Sequence, residues 1–375
     1  MTALRVLDEH APDAATLASA IGVPPALADR VYARVREKLG REPVEDFRLD
    51  FEDGYGNRPD AEEDGHADSA AKEVAAAAAA GTLPPFIGIR IKNLGDELRD
   101  RALRTAELFL RRLLTEMAGH LPANFVITLP KITARSQVGL LADALARIEA
   151  SHGLASGSLK MELMIETPQS IFDDRGSISL PGLIDDGRGR TVAAHFGTYD
   201  YTASLGITAA HQHMRHAACD FARSVMQVAL AGTDVWLSDG ATNVLPIGKD
   251  RATIHRAWRL HYDDIRHSLT NTFYQGWDLH PAQLVTRYAA VYTFFLESLE
   301  AASERLRNFI ARAAQATLVG EVFDDAATGQ GLLNFFLRAL NCGAVREEEI
   351  GALTGLALDE LRSGSFVKIV KARRS

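Results

Sequence analysis

Short apolar runs recur along the chain, and each ends on a charged or polar side chain followed by turn chemistry. Phe47-Arg48-Leu49-Asp50-Phe51 runs into Glu52-Asp53-Gly54, and Phe86-Ile87-Gly88-Ile89 ends on Arg90. Phe125-Val126-Ile127-Thr128-Leu129 ends on Pro130-Lys131, and Met161-Glu162-Leu163-Met164-Ile165 on Glu166. Val192–Gly197 leads to Asp200, Val235–Ser238 to Asp239-Gly240, and Trp277-Asp278-Leu279 to His280-Pro281. Runs of this length, bounded by turn residues, read as buried strands. Their terminal residues Glu52, Arg90, Lys131, Glu166, Asp200, Asp239 and His280 are separated by 38, 41, 35, 34, 39 and 41 positions. A strand, a loop and a returning helix together fill such an interval, so the spacing predicts repeated βα units in a parallel sheet. Helical patterns at Leu103–Met117, Gln137–Ile148 and Met214–Ala231 fall between the runs.

Functional groups gathered at the C-terminal ends of parallel strands are the arrangement of a (β/α)8 TIM-barrel active site. A doubly wound open sheet is the rival, but no Gly-rich phosphate turn follows any strand. Seven strands are evident, and Ala3–Leu7 is the candidate for an eighth. The flanks read differently. Residues 10–40 pattern as helices, Ala15–Ile21 and Ala26–Leu39, split by Val23-Pro24-Pro25. A long amphipathic stretch covers Gln283–Ala314, and the Gly-rich break 326–331 precedes a helix at Leu332–Leu340. The expected organisation is an α/β chain in three parts: an N-terminal helical extension (1–45), a TIM-barrel catalytic domain (46–310) and a C-terminal helical lid and tail (311–375).

Composition narrows the classes. At 47% hydrophobic residues, the chain can bury a large core. Its net charge of −8 is spread along the sequence, which argues against a nucleic-acid binder needing a basic face. No apolar run approaches the ~18–20 residues of a membrane helix, and acidic residues follow Met1–Arg5 where a signal core would lie. Two cysteines, Cys219 and Cys342, make no disulfide framework and have no metal-ligand spacing. The expectation is a cytoplasmic protein without membrane or nucleic-acid partners.

The strand ends carry the candidate chemistry. Glu166 and Asp200 end adjacent parallel strands, which lie ~4.8 Å apart, so their carboxylates can converge on one hard divalent cation; the alternative is that both cap loops or pair with arginines. Arg90, after apolar residues and glycine, is placed to meet a carboxylate or an enolate oxygen, or to pair with Asp50, Glu52 or Asp53. Lys131 is similar, with a Schiff-base role as another option. His211, His213 and His216 invite a zinc reading, but only His213 and His216 share a helix face, and an exposed helix start is favoured. His255, His261 and His267 read as a polar helix surface.

Taken together, these strand ends resemble citrate lyase beta-subunit-like proteins of the hydroxy-oxo-acid aldolase superfamily, which also holds malyl-CoA lyases and malate synthases. Leu49-Asp50-Phe51-Glu52-Asp53 resembles that family's Asp-x-Glu-Asp strand end, Ile89-Arg90-Ile91 its Arg strand, and Leu129-Pro130-Lys131-Ile132 its Pro-Lys strand. Ile165-Glu166-Thr167-Pro168 resembles its Glu-Thr strand, and Gly197–Gly206 its Gly-x-x-Asp-x-x-x-x-Leu-Gly loop. Asp239-Gly240 and His280-Pro281-Ala282-Gln283 resemble the last two strand ends, so the likeness spans roughly residues 46–285. The resemblance implies a barrel that binds Mg2+ or Mn2+ and makes or breaks a carbon–carbon bond beside a carbonyl. By it, Glu166 and Asp200 match the metal ligands, Arg90 matches the residue that steadies an enolate or carboxylate oxygen, and Asp50, Glu52 and Asp53 match an acidic surround. The expected catalytic set is Arg90, Asp50, Glu52, Asp53 and Lys131, and the expected substrate contacts are Arg90, Thr198 and His280. The substrate expected is a 2-oxo acid or a CoA thioester of a hydroxy acid; a phosphotransferase or hydrolase acting on a phosphoenolpyruvate-like molecule, or a non-catalytic barrel subunit, is the alternative. Tyr199 before Asp200 and the long stretch after Asp53 depart from the family pattern. The expected assembly is a homo-oligomer, trimer or hexamer, in which segment 311–345 caps a neighbour's site, with Gly329 and Gly331 as hinge and Asp324 or Asp325 as the delivered carboxylate.

Overall fold

A computed structural model describes residues 2–315 and 326–374. The chain divides into two compact units. One is α/β (Val44–Asn243 and Thr270–Leu279); the other, helical in its described residues, comprises Met1–Pro43, Val244–Leu269 and His280–Ser375.

Seven strands build the α/β unit: β1 (Asp46–Asp50), β2 (Phe86–Arg90), β3 (Phe125–Leu129), β4 (Lys160–Ile165), β5 (Thr191–Phe196), β6 (Trp236–Asp239) and β7 (Gln275–Gly276). They pair in chain order, every pair parallel. Leu49 lies opposite Ile89, Ile89 opposite Ile127, and Ile127 opposite Met161. These side chains face the helices, where Ile89, Ile127, Met161 and Leu163 pack with Phe109, Leu113, Leu141, Leu145 and Met226 in one buried cluster. The middle strands β2 to β5 are largely buried on both faces, which suits their mainly apolar sequences, interrupted by a few polar residues on the concave side. The long stretch after Asp53 resolves into the helix Asp60–Ala79, whose first turn carries Asp60, Glu62 and Glu63 where the helix dipole favours negative charge.

The other face of the sheet is concave and polar. Arg48 on β1 reaches Glu162 on β4 with two hydrogen bonds, Nε to Oε2 at 2.9 Å and Nη2 to Oε1 at 2.6 Å. Phe86 on β2 meets Trp236 on β6 edge-on, ring centroids 5.3 Å apart. Strands three and four places apart touch only if the sheet curls, so this is a half-barrel. Gly88 permits the crossing: a Cβ there would lie 2.3 Å from the Val126 carbonyl oxygen and 3.1 Å from Arg48 Cδ. Thr128 adds a third hydrogen bond to Glu162, and His195 Nε2 lies 3.2 Å from the same carboxylate. Burial pushes the Glu162 carboxyl up, but His195 and Arg48 outweigh it and hold the group well below the usual range. Removing one partner of such a pair strands a buried charge. Arg48→Met should therefore cost about 3–5 kcal/mol of unfolding free energy in urea titrations. The double variant Arg48→Met/Glu162→Met should recover much of that loss.

The expected eighth strand at Ala3–Leu7 is instead part of the helix Thr2–His10. Ala3, Leu7 and His10 are its buried positions, a helical spacing that the short window disguised. Among the described residues the sheet has seven strands and no pairing between β1 and β7. Trp277-Asp278-Leu279 is likewise not a strand, because β7 ends at Gly276.

In the helical unit, Trp258 is buried, donates to the Ala282 carbonyl at 2.9 Å and stacks on His255. His261 is not a surface residue: it is buried, and its Nδ1 lies 2.7 Å from Thr286 Oγ1. Gly329 and Gly331, expected as a hinge, sit inside the helix Ala326–Asn341; a Cβ on Gly329 would lie 2.6 Å from the Phe366 ring, so close packing accounts for this glycine. Asp324 and Asp325 fall outside the described residues. Among the described residues, no helix is long and apolar enough to cross a membrane.

Candidate functional site

The C-terminal ends of β1 to β5 bring five carboxylates and two cations together in the α/β unit. Asp50, the last residue of β1, takes a two-pronged pair from Arg90, the last residue of β2, with Nε to Oδ1 at 2.7 Å and Nη2 to Oδ2 at 2.6 Å. Asp50 also accepts the backbone N–H groups of Glu52 and Gly54, which folds the strand end into a tight turn. That turn aims Glu52 back, its Oε2 3.7 Å from Arg90 Nη1. The Asp-x-Glu-Asp sequence is thus a local device in which the first carboxylate clamps the arginine and shapes the loop carrying the other two.

Lys131 stands at the centre. Its Nζ donates to Glu52 and to both Asp53 oxygens, the latter at 2.7 Å, and lies 3.7 Å from Asp200 Oδ2. Its backbone sits at φ +50°, a conformation costly for a residue with a Cβ. This geometry presents the Lys131 peptide N–H to Glu166 Oε1 at 2.8 Å. One residue therefore touches or approaches four carboxylates.

Glu166 is buried, 3% exposed, just past the end of β4. Gly197 makes room for it: a Cβ there would lie 2.4 Å from both Glu166 Cβ and Oε2. Asp200 lies in the first turn of the short helix Thr198–Ser204 that follows β5. Thr198 is buried, with Oγ1 3.1 Å from Met214 Sδ, and Tyr199 Oη accepts the Asn243 N–H at 3.0 Å. Tyr199, a departure in the sequence, thus ties the Asp200 loop to the segment after β6.

The electrostatics are unbalanced. Burial, then the charge of Asp200, pushes the Glu166 carboxyl up to about 7. Burial raises Asp200 too, with Lys131 only partly offsetting it. Glu52 is raised by burial against the pull of Lys131. Asp50 and Asp53 resist the same burial because Arg90 and Lys131 respectively hold them down. Five carboxylates face two cations, leaving three negative charges uncompensated when all are ionised.

Arg90 has a second support that the sequence did not reveal. Its guanidinium carbon lies 5.4 Å from the centre of the Trp277 ring. Trp277 Nε1 donates to His195 Nδ1 at 3.0 Å, which leaves the ring proton on Nε2, facing Glu162. A chain of contacts thus runs from Arg48 through Glu162, His195 and Trp277 to Arg90. Lys92, also unforeseen, is buried and donates to the Phe51 carbonyl and to Glu63, each at 2.7 Å, fixing the β1 end from below.

Of the residues expected at the site, Asp50, Glu52, Asp53, Arg90, Lys131, Glu166 and Asp200 come together, with Thr198 buried at the start of the Asp200 helix. His280 belongs to the helical unit. There its Nδ1 accepts the Ala282 N–H at 3.1 Å, capping the turn Pro281–Gln283. His211 lies in a single helical turn, and His216 caps the helix Ala217–Leu230 through its ring.

Fold and site together define an α/β protein with a curled parallel half-barrel and a charged cluster at the strands' C-terminal ends. It shares this fold with a citrate lyase from Burkholderia xenovorans LB400, at 19% identity over 86% of this chain and 92% of that one, with a TM-score of 0.59. It is also similar to a Haloferax volcanii malate synthase solved as a magnesium/glyoxylate complex, at 14% identity over 95% of each chain and a TM-score of 0.51. These are the relatives that the strand-end motifs resemble. No curated protein matches the sequence. The chain belongs to the family described as Domain of unknown function (DUF6986), which it matches over residues 1–369.

Proposed function

We propose that the chain is a Mg2+-dependent carbon–carbon lyase or aldolase acting on a 2-oxo acid or a hydroxyacyl-CoA through an enolate. The observation that carries this reading is the buried Glu166 beside Asp200, in a cluster with more negative charge than its own cations neutralise. A divalent ion is the natural remedy. Among the described residues no three His, Cys, Asp or Glu side chains form a complete metal cage, but Mg2+ commonly takes one or two carboxylates and completes its shell with water and substrate oxygens. Oxygen-only donors favour Mg2+ or Mn2+ over Zn2+. When bound at Glu166 and Asp200, the ion supplies Lewis acidity toward a substrate carbonyl.

The protein's own residues do the rest. Arg90 spends two donors on Asp50 and keeps the others for substrate. Clamped by Asp50 and backed by Trp277, its guanidinium is held in place before substrate arrives, so it neutralises enolate charge without reorganising. In cleavage the hydroxyl beside the scissile bond gives its proton to water and becomes a carbonyl, and the carbon–carbon electron pair moves onto the neighbouring carbonyl to give an enolate whose charge Arg90 would offset. The enolate carbon then takes up a proton from water. In this reading the seven curled strands are the wall of a TIM-type barrel, and the site lies at its active end. A closed homo-oligomer belongs to the same reading, and the mass in solution decides it.

The test is product analysis. Purified protein with Mg2+ should release pyruvate or an acetyl thioester from 2-oxo-hydroxy acids or hydroxyacyl-CoA substrates, and chelation should stop it. Release of inorganic phosphate from a phosphoenolpyruvate-like substrate, without carbon–carbon cleavage, would replace this assignment with a phosphotransferase or hydrolase.

A further inference from the structure

We propose that the Lys131 ammonium is a resident counter-ion of the carboxylate cluster, and that a divalent cation enters by displacing it. The inference rests on the reading that the cation binds at Glu166 and Asp200. Nζ already occupies the cationic position among Glu52, Asp53 and Asp200, bonded to the first two and 3.7 Å from the third. A doubly charged ion on Asp200 would sit within a few ångströms of that ammonium, where the two like charges repel. The backbone makes the exchange local. The Lys131 peptide is fixed by its N–H on Glu166 at 2.8 Å and by its left-handed conformation, while the side chain has four rotatable bonds. The ammonium can leave without moving the strand end.

The charge count permits exchange, because a divalent ion in place of the ammonium lowers the excess negative charge from three to two. The repulsion between the two cations decides against simple addition. With Lys131 in place the ionised cluster carries three excess negative charges; a divalent ion that displaces it takes over the neutralising role and frees an ammonium with three donors. At the mouth of this site that ammonium is available to an anionic substrate. Lys131 thereby acts on the metal through the carboxylates, as a positioning residue that sets cation affinity. Without it, the empty cluster would be more negative and the cation would bind tighter.

Calorimetric titration with Mn2+ at pH 8 tests this on the parent chain, Lys131→Met and Glu166→Gln. Lys131→Met should bind at least tenfold tighter than the parent, and binding detectable only in Lys131→Met also counts in favour. Equal or weaker binding overturns the counter-ion role while leaving the metal assignment standing. Parental binding by Glu166→Gln brings down the metal assignment, and absence of binding in both the parent and Lys131→Met brings down both. A second measurement avoids substitution. Acetylation of Lys131 by an N-hydroxysuccinimide ester, followed by mass spectrometry of the parent chain, should speed up several-fold when Mg2+ is added. An unchanged or slower rate at Lys131 also overturns the proposal.

Discussion

Glu166→Gln and Asp200→Asn should each weaken Mg2+ or Mn2+ binding by ~100-fold or more, above the 10–100-fold that even outer-shell changes cost at metal sites. Calorimetry measures this directly, and parental affinity in both variants would dismiss the pair as ligands. The expectation has a pH signature. Glu166 holds its proton up to about 7, first because it is buried and then because Asp200 is near. The metal must replace that proton, so affinity should fall about tenfold per pH unit below about 7 and level off above it. Stability of the metal-free protein moves the opposite way. An unfolded glutamate ionises near pH 4.3, whereas the folded one stays protonated to about 7, so the folded state binds more protons between these values. That window should therefore see stability fall as pH rises, by about 4 kcal/mol from this group. A bound cation should cancel the loss, so the rise in Tm produced by Mg2+ should grow with pH.

Arg90→Lys should lower kcat by ~100–1000-fold, the cost of removing one pre-aligned donor of transition-state charge. Lysine keeps the positive charge but cannot reproduce the two-pronged grip on Asp50 while presenting further donors. Steady-state kinetics on the substrate found by product analysis would show it. A lysine variant turning over near the parental rate would mean that charge alone suffices at this position. Metal affinity should change far less than turnover, because Glu166 and Asp200 stay in place.

The strand ends were legible because each combines an apolar run, a polar terminus and a regular interval, and parallel βα units leave few other ways to produce that pattern. Asp50, Arg90, Lys131 and Glu166 could be placed at one end of a sheet from spacing alone. The support beneath them could not. Glu162 and His195 are single polar residues inside apolar strands, and Arg48 and Glu162 lie 114 positions apart; only the curl of the sheet makes them neighbours. Ala3–Leu7 misled because five residues are too few to separate strand from helix periodicity. Gly329 misled because glycine marks close packing as readily as a hinge. His280 follows an apolar run as the other strand ends do, yet its ring serves the turn that begins the next helix.

Gly197 places a constraint on the descent of this family. No side chain fits at 197 while a glutamate occupies 166, because the first added carbon would overlap that carboxylate. The two positions are therefore coupled: a lineage that keeps Glu166 in place must keep the glycine, and because the Cβ of residue 166 is part of the clash, a side chain at 197 is admitted only by a backbone shift that moves the acid. Among homologues, a filled position 197 should mark copies in which selection on the cluster has lapsed, even where Arg90 and Asp50 persist as a structural pair.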